Sequence, residues 1–272
     1  MPVPPPAPID RRRLGDGRDV EVYATADALA DAAAAVVAGA LREAVARRGE
    51  ARVVLAGGST PRALYARLAE GVGGAVSWER VVVLFGDERC VPPEDAASNH
   101  RMAHETLLGR VPVTPGRVHR VHGELPAEDA AAGYERTLRA ALGAAGDGGR
   151  RGPAGDPLLD VVLLGAGADG HTASLFPGDP ALDERERWAL PVVAPEYADP
   201  PRERVTLTLP LLEDARLVLF LVAGAAKRDA VRAALGPDAT VPAGRVRAVG
   251  RTLWMVDAPA IGVAGGAGDA GR

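Results

Sequence analysis

The chain has 272 residues, 47% of them hydrophobic, so it is long enough to bury a core in one large or two small domains. Its formal net charge of -4 gives no overall field that would attract nucleic acid or anionic lipid, and we expect neither as a partner. Every apolar run is interrupted by charge before it reaches membrane-spanning length. The chain has a single cysteine, Cys90, which excludes an intramolecular disulfide and a cysteine-based structural metal site.

The first residues, PVPPPAP after Met1, lack the basic-then-apolar order of a secretory signal. We therefore expect a cytoplasmic protein whose residues 1–18 form a disordered head rich in proline and arginine. An α/β domain over 19–260 and a flexible Gly/Ala tail over 261–272 are expected to follow. The Gly/Ala/Arg/Pro stretch at 143–157 predicts a solvated loop.

Helical and apolar patterns alternate along this domain. They predict helices over 26–48, 62–70, 99–108, 127–142 and 225–235, and strands over 52–56, 81–85, 118–121, 161–164, 206–209, 217–222 and 252–256. Strands that alternate with helices indicate a layered α/β fold, in which a mostly parallel central sheet is flanked by helices and connected by right-handed crossovers. No linker divides the chain, so we expect a single domain.

The most informative segment is LDVVLLGAGADGHTASLFPG, residues 159–178. An apolar strand runs into a glycine-rich turn that presents Asp169 and His171 together, at the start of a predicted short helix. The turn lies at the carboxyl end of a strand, where open α/β sheets bind ligands. Histidine, with an ordinary pKa of about 6.5, can take a proton from water near neutral pH beside a carboxylate. The segment therefore predicts a hydrolytic site.

The same turn has the G-x-G-x-x-G spacing of a dinucleotide-binding turn, in Gly165, Gly167 and Gly170. Against nucleotide binding, Asp169 would place a negative charge beside the phosphates, and Pro177 would end the helix almost at once. A lone match of this kind is a weak signal, so hydrolysis is the favoured interpretation.

A second turn, residues 57–61 (GGSTP), follows the strand predicted at 52–56. We expect Pro61 at the first position of the next helix, with backbone N–H groups and the hydroxyls of Ser59 and Thr60 facing outward. This arrangement suits a phosphate, and it also fits the simpler interpretation of a capped helix start. The turn lacks the lysine and the spacing of a P-loop, so we do not expect it to bind a nucleoside triphosphate.

Charged residues follow two further strands. Asp87, Glu88 and Arg89 come directly after 81–85, where they indicate either a functional site, with Arg89 facing an oxyanion, or an ion pair that closes the sheet edge. Lys227 comes after 217–222 and fits either a point charge for a phosphate or an ordinary surface lysine.

Five motifs occur in series along the chain: GGSTP, FGDERCVP with Ser98-Asn99, GAGADGHTASLFPG, RVTLTLPLL from Arg204, and AGAAK ending at Lys227. Together they resemble the glucosamine-6-phosphate isomerase/6-phosphogluconolactonase family, and within it the 6-phosphogluconolactonases, over about residues 22–256. The resemblance implies a hydrolase of the oxidative pentose phosphate pathway that opens 6-phospho-D-glucono-1,5-lactone. It also implies a modified Rossmann-type fold like that of glucosamine-6-phosphate deaminase, with no metal or organic cofactor.

The resemblance also assigns roles to individual residues. His171 matches the general base of the family, and Asp169 and Arg89 match the residues beside it. Positions around the sugar phosphate are matched by Gly57, Gly58, Ser59, Thr60, Asp87, Arg204 and Lys227. Since no G-x-S-x-G motif is present, direct attack by water is favoured over a covalent intermediate.

Two other functions stay open at this point. A glucosamine-6-phosphate isomerase/deaminase would share the fold and the DGH segment, but its pattern continues with a catalytic carboxylate that residues 172–176 lack. A sugar-phosphate sensor would normally carry a DNA-binding helix-turn-helix, of which the proline-rich start gives no sign. We expect a small sugar phosphate as substrate, and a monomer or a weak homo-oligomer.

Overall fold

The structure is a computed structural model that describes residues 4–143, 156–198, 202–237 and 239–262. Its strands are β1 Asp10–Arg13, β2 Asp19–Tyr23, β3 Ala51–Leu55, β4 Val81–Phe85, β5 Asp87–Arg89, β6 Leu159–Leu164, β7 Ala189–Val193, β8 Glu203–Leu207, β9 Ala215–Val222 and β10 Arg251–Asp257. Its helices are α1 Ala26–Arg48, α2 Ser59–Ala69, α3 Asn99–Ala103, α4 Ala127–Leu142, α5 Leu209–Glu213, α6 Arg228–Leu235, α7 Pro242–Arg245 and α8 Ala258–Ile261. A π-helical turn, His104–Leu108, continues α3, and a 3₁₀ turn, Ala225–Lys227, precedes α6.

Seven strands form one sheet in the order β1-β2-β10-β9-β6-β3-β4. Every neighbouring pair is parallel except β1 and β2. The central strands are buried on both faces, and all six side chains of β6 are buried, as expected for a parallel sheet covered by helices. The carboxyl ends of β3, β4, β6, β9 and β10 therefore lie at one edge of the sheet.

Helices cover both faces of this sheet. Helices α1 and α2 pack on one face, in a core that includes Leu41 and Tyr65. Helices α4 and α6 pack on the other, in a core that includes Leu138 and Val231. Helices α2 and α4 lie on opposite faces because both crossovers are right-handed, while β3-α2-β4 and β4-α4-β6 run in opposite directions across the sheet.

The reversal of direction creates a switch point between β3 and β6. From β3 the chain moves outward to β4, and it then returns to place β6 on the other side of β3. Crevices of open α/β sheets open at such points, outside the carboxyl ends of the strands. The loops after β3 and β6 therefore flank the expected position of a ligand.

A second, antiparallel sheet has the order β5-β8-β7. Because β5 follows β4 after only one residue, this sheet continues from the carboxyl edge of the large one. The N–H of Leu207 donates to the carbonyl of Gly86, which fixes the small sheet to the end of β4.

The long helix α1 illustrates how local sequence sets an element. The Thr25 hydroxyl accepts a hydrogen bond from the N–H of Ala28 at its start, and Gly49, with a φ of 84°, ends it. Alanine-rich composition favours the helix between these caps. Helices α1 and α4 and strand β4 begin and end at the residues predicted from the sequence.

Other boundaries and elements were predicted wrongly. Residues 10–13, assigned to a disordered head within 1–18, form edge strand β1, whose exposed side chains carry no apolar alternation. Cross-strand ion pairs, Arg11 with Glu21 and Arg13 with Asp19, stabilise it. The strand predicted at 118–121 is reduced to one bridge between Val83 and Val118.

The start of α2 also differs from the prediction. The helix begins at Ser59 and not near Arg62, so Pro61 occupies its third position. The chain turns at Gly58, whose φ of 106° favours glycine, and proline is tolerated in the first turn because that N–H has no helical acceptor.

Three sequence predictions fall on residues outside the described ranges. They concern residues 1–3 of the head, most of the loop at 143–157, and the tail from residue 263 onward. No helix among the described residues is both long enough and apolar enough to span a membrane.

Candidate active site

His171 lies in the turn after β6, and Asp169 holds it at two points. Asp169 Oδ1 accepts one hydrogen bond from the His171 backbone N–H at 3.1 Å and contacts His171 Nδ1 at 2.6 Å. Both side chains are partly exposed, Asp169 at 21% and His171 at 27%, so the pair is rigidly placed and still reachable by solvent.

The ionisation of Asp169 determines the tautomer of this imidazole. Burial tends to raise the pKa of Asp169, but the hydrogen bond from the His171 backbone, the His171 charge and the hydroxyl of Tyr197 outweigh it and lower the pKa below its usual value. An ionised carboxylate only accepts hydrogen bonds, so Nδ1 carries the proton and the lone pair of Nε2 is left to act as a base.

Two glycines allow the turn to close around this pair. A Cβ at Gly167 would overlap with the His171 ring and with Asp169. Gly170 has a φ of 83°, and a Cβ there would collide with Val241. These glycines therefore serve packing in the turn of Asp169 and His171, and the G-x-G-x-x-G spacing needs no dinucleotide to explain it.

The short helix predicted after His171 is absent. Residues 172–175 form a tight turn, in which Thr172 and Leu175 exchange backbone hydrogen bonds and Ala173 adopts a φ of 48°. The Thr172 hydroxyl donates to the Gly165 carbonyl at 2.8 Å. This bond fixes the turn to the residue that follows β6, and the backbone bonds between Thr172 and Leu175 take the place of helical hydrogen bonds.

Hydrogen bonds connect this turn to Asp87 and α3, and close packing extends the connection to the loop after β3. Ser174 Oγ donates to Asp87 Oδ2 at 2.7 Å, and Asn99 Nδ2 donates to Asp87 Oδ1 at 3.2 Å. The carboxamide of Asn99 in turn lies where a Cβ of Gly57 would be. Asp87 thus holds three loops together through groups inside the protein, and its contact with substrate stays a prediction.

Glu88 points away from Asp87 and Arg89, as alternation along β5 requires. Its carboxylate accepts hydrogen bonds from the backbone N–H groups of Asn99 and His100, at the start of α3. Burial raises the pKa of Glu88, although those hydrogen bonds oppose the shift. Glu88 therefore fixes the position of α3, which carries Asn99.

Arg89 and Arg204 stand opposite each other in the pairing of β5 with β8. Arg204 is buried, and its guanidinium lies 5.6 Å from the centre of the Phe176 ring. The Phe176 ring also contacts the His171 ring, at a centroid distance of 4.7 Å. Arg89 Nη1 donates to the carbonyl of Ala97, and its buried Nε has no hydrogen-bond partner among the described residues. The predicted catalytic residues thus share one neighbourhood.

The predicted anion-binding loop, residues 57–60 after β3, lies on the other side of the switch point. Helix α2 has no side-chain cap, so the N–H groups of Ser59 and Thr60 in its first turn stay available to a ligand. Gly58 and Ser59 are exposed, and Gly57 and Thr60 are half-buried.

Lys227 follows β9, the sheet neighbour of β6, and is half-buried. Its side chain forms no hydrogen bond or ion pair within the described ranges, so its ammonium group is available to an anion. Sheet order places Lys227 at the same edge as His171, but no direct contact joins it to the other predicted residues that the structure describes.

Sequence reasoning missed three residues of this site. Asn99 and Ser174 lie within the motifs given above. A polar side chain next to a small residue in such a motif was a signal that could have identified them. Tyr197 donates its hydroxyl to Asp169 Oδ2 at 2.9 Å from an irregular segment between β7 and β8, where the sequence carries no pattern.

Comparison with known proteins places the chain in a family. The model of the family described as glucosamine-6-phosphate isomerases/6-phosphogluconolactonase matches residues 24–254. The chain belongs to this family. The 6-phosphogluconolactonase of Mycobacterium tuberculosis is 40% identical over 247 residues, which cover 88% of this chain and 95% of that relative.

Solved structures of the same family agree with the fold. The 6-phosphogluconolactonase from Trypanosoma cruzi matches with a TM-score of 0.79 at 27% identity, over 92% of this chain and 98% of its own. A monomeric glucosamine-6-phosphate deaminase matches with a TM-score of 0.71 at 22% identity, over 89% and 98% of the two chains. That second likeness shows the fold alone. The predicted deaminase-like α/β fold with a mostly parallel sheet is confirmed.

Proposed function

We propose that this chain is an enzyme that hydrolyses 6-phospho-D-glucono-1,5-lactone to 6-phospho-D-gluconate in the oxidative pentose phosphate pathway. Membership of the family and the M. tuberculosis relative support the substrate. One observation carries the chemistry. Asp169 holds His171 Nδ1 at the carboxyl edge of the sheet and leaves Nε2 as a base.

In this proposal His171 activates water directly. Nε2 takes one proton from a water molecule as its oxygen bonds to C1 of the lactone, and the carbonyl oxygen becomes an oxyanion. When the tetrahedral intermediate collapses, the bond from C1 to the ring oxygen breaks, and His171 returns its proton to that oxygen. The product acid then loses a proton to solvent. No covalent enzyme intermediate is needed, because a δ-lactone is already an activated ester.

Positive charge near His171 would stabilise the oxyanion. We assign this role to Arg89, whose Nη1 orders the loop at Ala97 and whose Nε is buried without a partner among the described residues. A donor fixed by its surroundings stabilises developing charge without reorganising, which is the main source of such catalysis.

The phosphate of the substrate is assigned to the opposite side of the switch point. Backbone N–H groups at Gly57, Gly58, Ser59 and Thr60 and the two hydroxyls would surround it at the start of α2. Lys227 and Arg204 would supply charge from the loops of β9 and β8. The sugar would then bridge the crevice, with C1 next to His171.

The direct test is hydrolysis of lactone generated in place from glucose 6-phosphate, followed as acid release. Because the lactone also opens slowly in water, a blank without the protein is subtracted. We expect acid release in proportion to protein concentration, saturating with lactone. A rate equal to the blank would refute the proposed activity, and binding without turnover would instead favour a sensor.

The deaminase alternative is tested on the same preparation with glucosamine 6-phosphate. Residues 172–176 contain no carboxylate, and the structure closes them into a tight turn packed on Asp87 and Thr206. We expect no ammonia release above background. Ammonia release as fast as lactone hydrolysis would contradict this assignment. The monomeric or weakly oligomeric state and the cytoplasmic location stay predictions.

A further inference from the structure

Tyr197 contacts the proposed catalytic pair from outside the turn that contains it. Its hydroxyl donates to Asp169 Oδ2 at 2.9 Å, while Asp169 Oδ1 is occupied by His171. The two oxygens of one carboxylate therefore hold two different elements, the turn after β6 and the segment between β7 and β8.

Packing does not account for the position of Tyr197. The residue is 68% exposed, one of the few large apolar side chains on the surface of the described chain. A phenol that is mostly in solvent contributes little to the core, so the interaction that orders it is the hydrogen bond to Asp169.

We propose that Tyr197 is a positioning residue for the proposed lactone hydrolysis, which acts on His171 through Asp169. Its hydroxyl fixes the plane of the carboxylate, so that Oδ1 stays aligned with His171 Nδ1. The hydrogen bond also disperses part of the negative charge of the carboxylate. Asp169 therefore stabilises a protonated imidazole less strongly. Tyr197 thereby keeps the base neutral to lower pH.

The electrostatics of the pair agree with this role. The hydrogen bond to Asp169 raises the pKa of Tyr197, so the phenol remains a donor through the physiological range. The hydroxyl of Tyr197 is also one of the groups that lower the pKa of Asp169. Other charged groups around this turn are Arg204, beyond the Phe176 ring, and Asp87, bonded to Ser174.

The inference rests on the proposed function, and Tyr197→Phe tests it. The variant keeps the exposed ring and removes one hydroxyl. We expect the acid limb of the kcat profile to move to higher pH by about half a unit, since a freed carboxylate attracts the imidazolium more strongly. Plateau kcat should fall about threefold to tenfold through lost alignment, with KM changed less than about twofold.

Tyr23→Phe is the matched control. Tyr23 also donates its hydroxyl to a carboxylate, Glu21 Oε2 at 2.7 Å, but on β2, three strands away from β6 in the sheet. We expect this variant to match wild type in both the pH profile and kcat. An equal shift in both variants would indicate a general effect of removing a phenol–carboxylate bond, and would overturn the inference.

A double-mutant cycle tests whether Tyr197 works through Asp169. In an Asp169→Asn background the charge that Tyr197 modulates is gone, so adding Tyr197→Phe should change kcat by less than about twofold. An undiminished effect in that background would contradict the proposed route.

Ring titration of the histidines by NMR gives a readout that needs no turnover. His171 is one of five histidines, and the other four line a separate cavity of about 520 Å³, so His171→Ala identifies its signals. We expect the titration midpoint of these signals to rise in Tyr197→Phe. An unchanged midpoint refutes the inference, whereas an inactive wild type with a shifted midpoint refutes only the lactone hydrolysis.

Discussion

Asp169 gives one oxygen to His171 and the other to Tyr197, so a single side chain sets both the tautomer and the orientation of the base. Because the pKa of Asp169 is lowered, the carboxylate stays ionised well below neutral pH. Loss of activity on acidification should therefore reflect protonation of the imidazole and not of the carboxylate.

Lys227 tests the phosphate end of the crevice. Lys227→Met removes a cation that has no partner among the described residues, and KM for the lactone should rise about 10- to 100-fold. Because the phosphate is bound equally in the ground and transition states, kcat should stay within about threefold. Steady-state kinetics measure both constants.

Arg228 provides the control for Lys227, since it is the next residue and is exposed. Arg228→Met removes the same charge from the neighbouring position and should leave KM unchanged. An unchanged KM in Lys227→Met, or the same rise in both variants, would remove Lys227 from the phosphate site.

At the residue scale, the sequence predicted the members of the site that are close together in the chain. Asp169 and His171 are two residues apart after an apolar strand, and strand geometry alone places them at the sheet edge. Tyr197 reaches the site only through tertiary packing, from a segment whose local pattern carries no functional signal. Asn99 also reaches it through tertiary packing, although it lies within one of the five motifs.

Short elements do much of the positioning in this fold. Strand β5 has only three residues, yet it places Asp87 against Ser174 in the turn of His171 and Glu88 against the start of α3. The first turn of α2, left without a side-chain cap, supplies the N–H groups of the anion-binding loop.

The turn between β1 and β2 gives a prediction about stability. Asp16 accepts a hydrogen bond from Arg18 Nε at 2.7 Å, and Arg18, which is 2% exposed, also donates to the carbonyl of Ala234 at the end of α6. The hydrogen bond from Arg18 lowers the pKa of Asp16 to about 2. The carboxylate thus anchors an edge hairpin to a helix on the sheet face.

Asp16→Asn should lower the free energy of unfolding by about 1 kcal/mol at pH 7, a value reduced for the partial exposure of the carboxylate. A depressed pKa stabilises the fold above the ordinary value of 3.8 and loses that effect as pH falls towards 2. The difference from wild type should therefore be constant above about pH 5 and shrink below about pH 4.

Urea unfolding at pH 7, 5 and 3.5 measures this difference. Asp10→Asn is the control, because Asp10 pairs with Arg12 on the same hairpin and both side chains are about half exposed. We expect no measurable change for Asp10→Asn. A difference for Asp16→Asn that stays constant down to pH 3.5, or that equals the control, would contradict the anchoring role.

Element predictions succeeded where a pattern is long. Helices α1 and α4 carry several turns of helical periodicity between clear stop signals, and both were predicted to the residue. Strands β1, β2, β5 and β7 were missed. Four exposed residues in β1, three charged residues in β5 and a proline-containing segment in β7 give no period to detect, and the alternation in β2 spans only five residues. The turn after His171 was mistaken for a helix because the hydrogen bonds that close it leave no sign in the periodicity of the sequence.

At the scale of the whole molecule, alternation and handedness determine the layers of the fold. Strands that alternate with helices require a layered parallel sheet, and right-handed crossovers place α2 and α4 on opposite faces. The strand order itself, with β6 returning to lie beside β3, could not be derived from the sequence, because no local pattern encodes which buried strands become neighbours. That order places the loop after β3 beside the turn of His171.

The central claim is that His171 acts as the base of a lactone hydrolase, in a crevice whose phosphate end is built separately. His171→Ala tests it through kcat for the lactone and the affinity for 6-phosphogluconate, measured by calorimetry. We expect kcat to fall about 10²- to 10⁴-fold, with affinity within about threefold of wild type. A wild-type kcat, or an affinity that falls as much as kcat, would contradict the account.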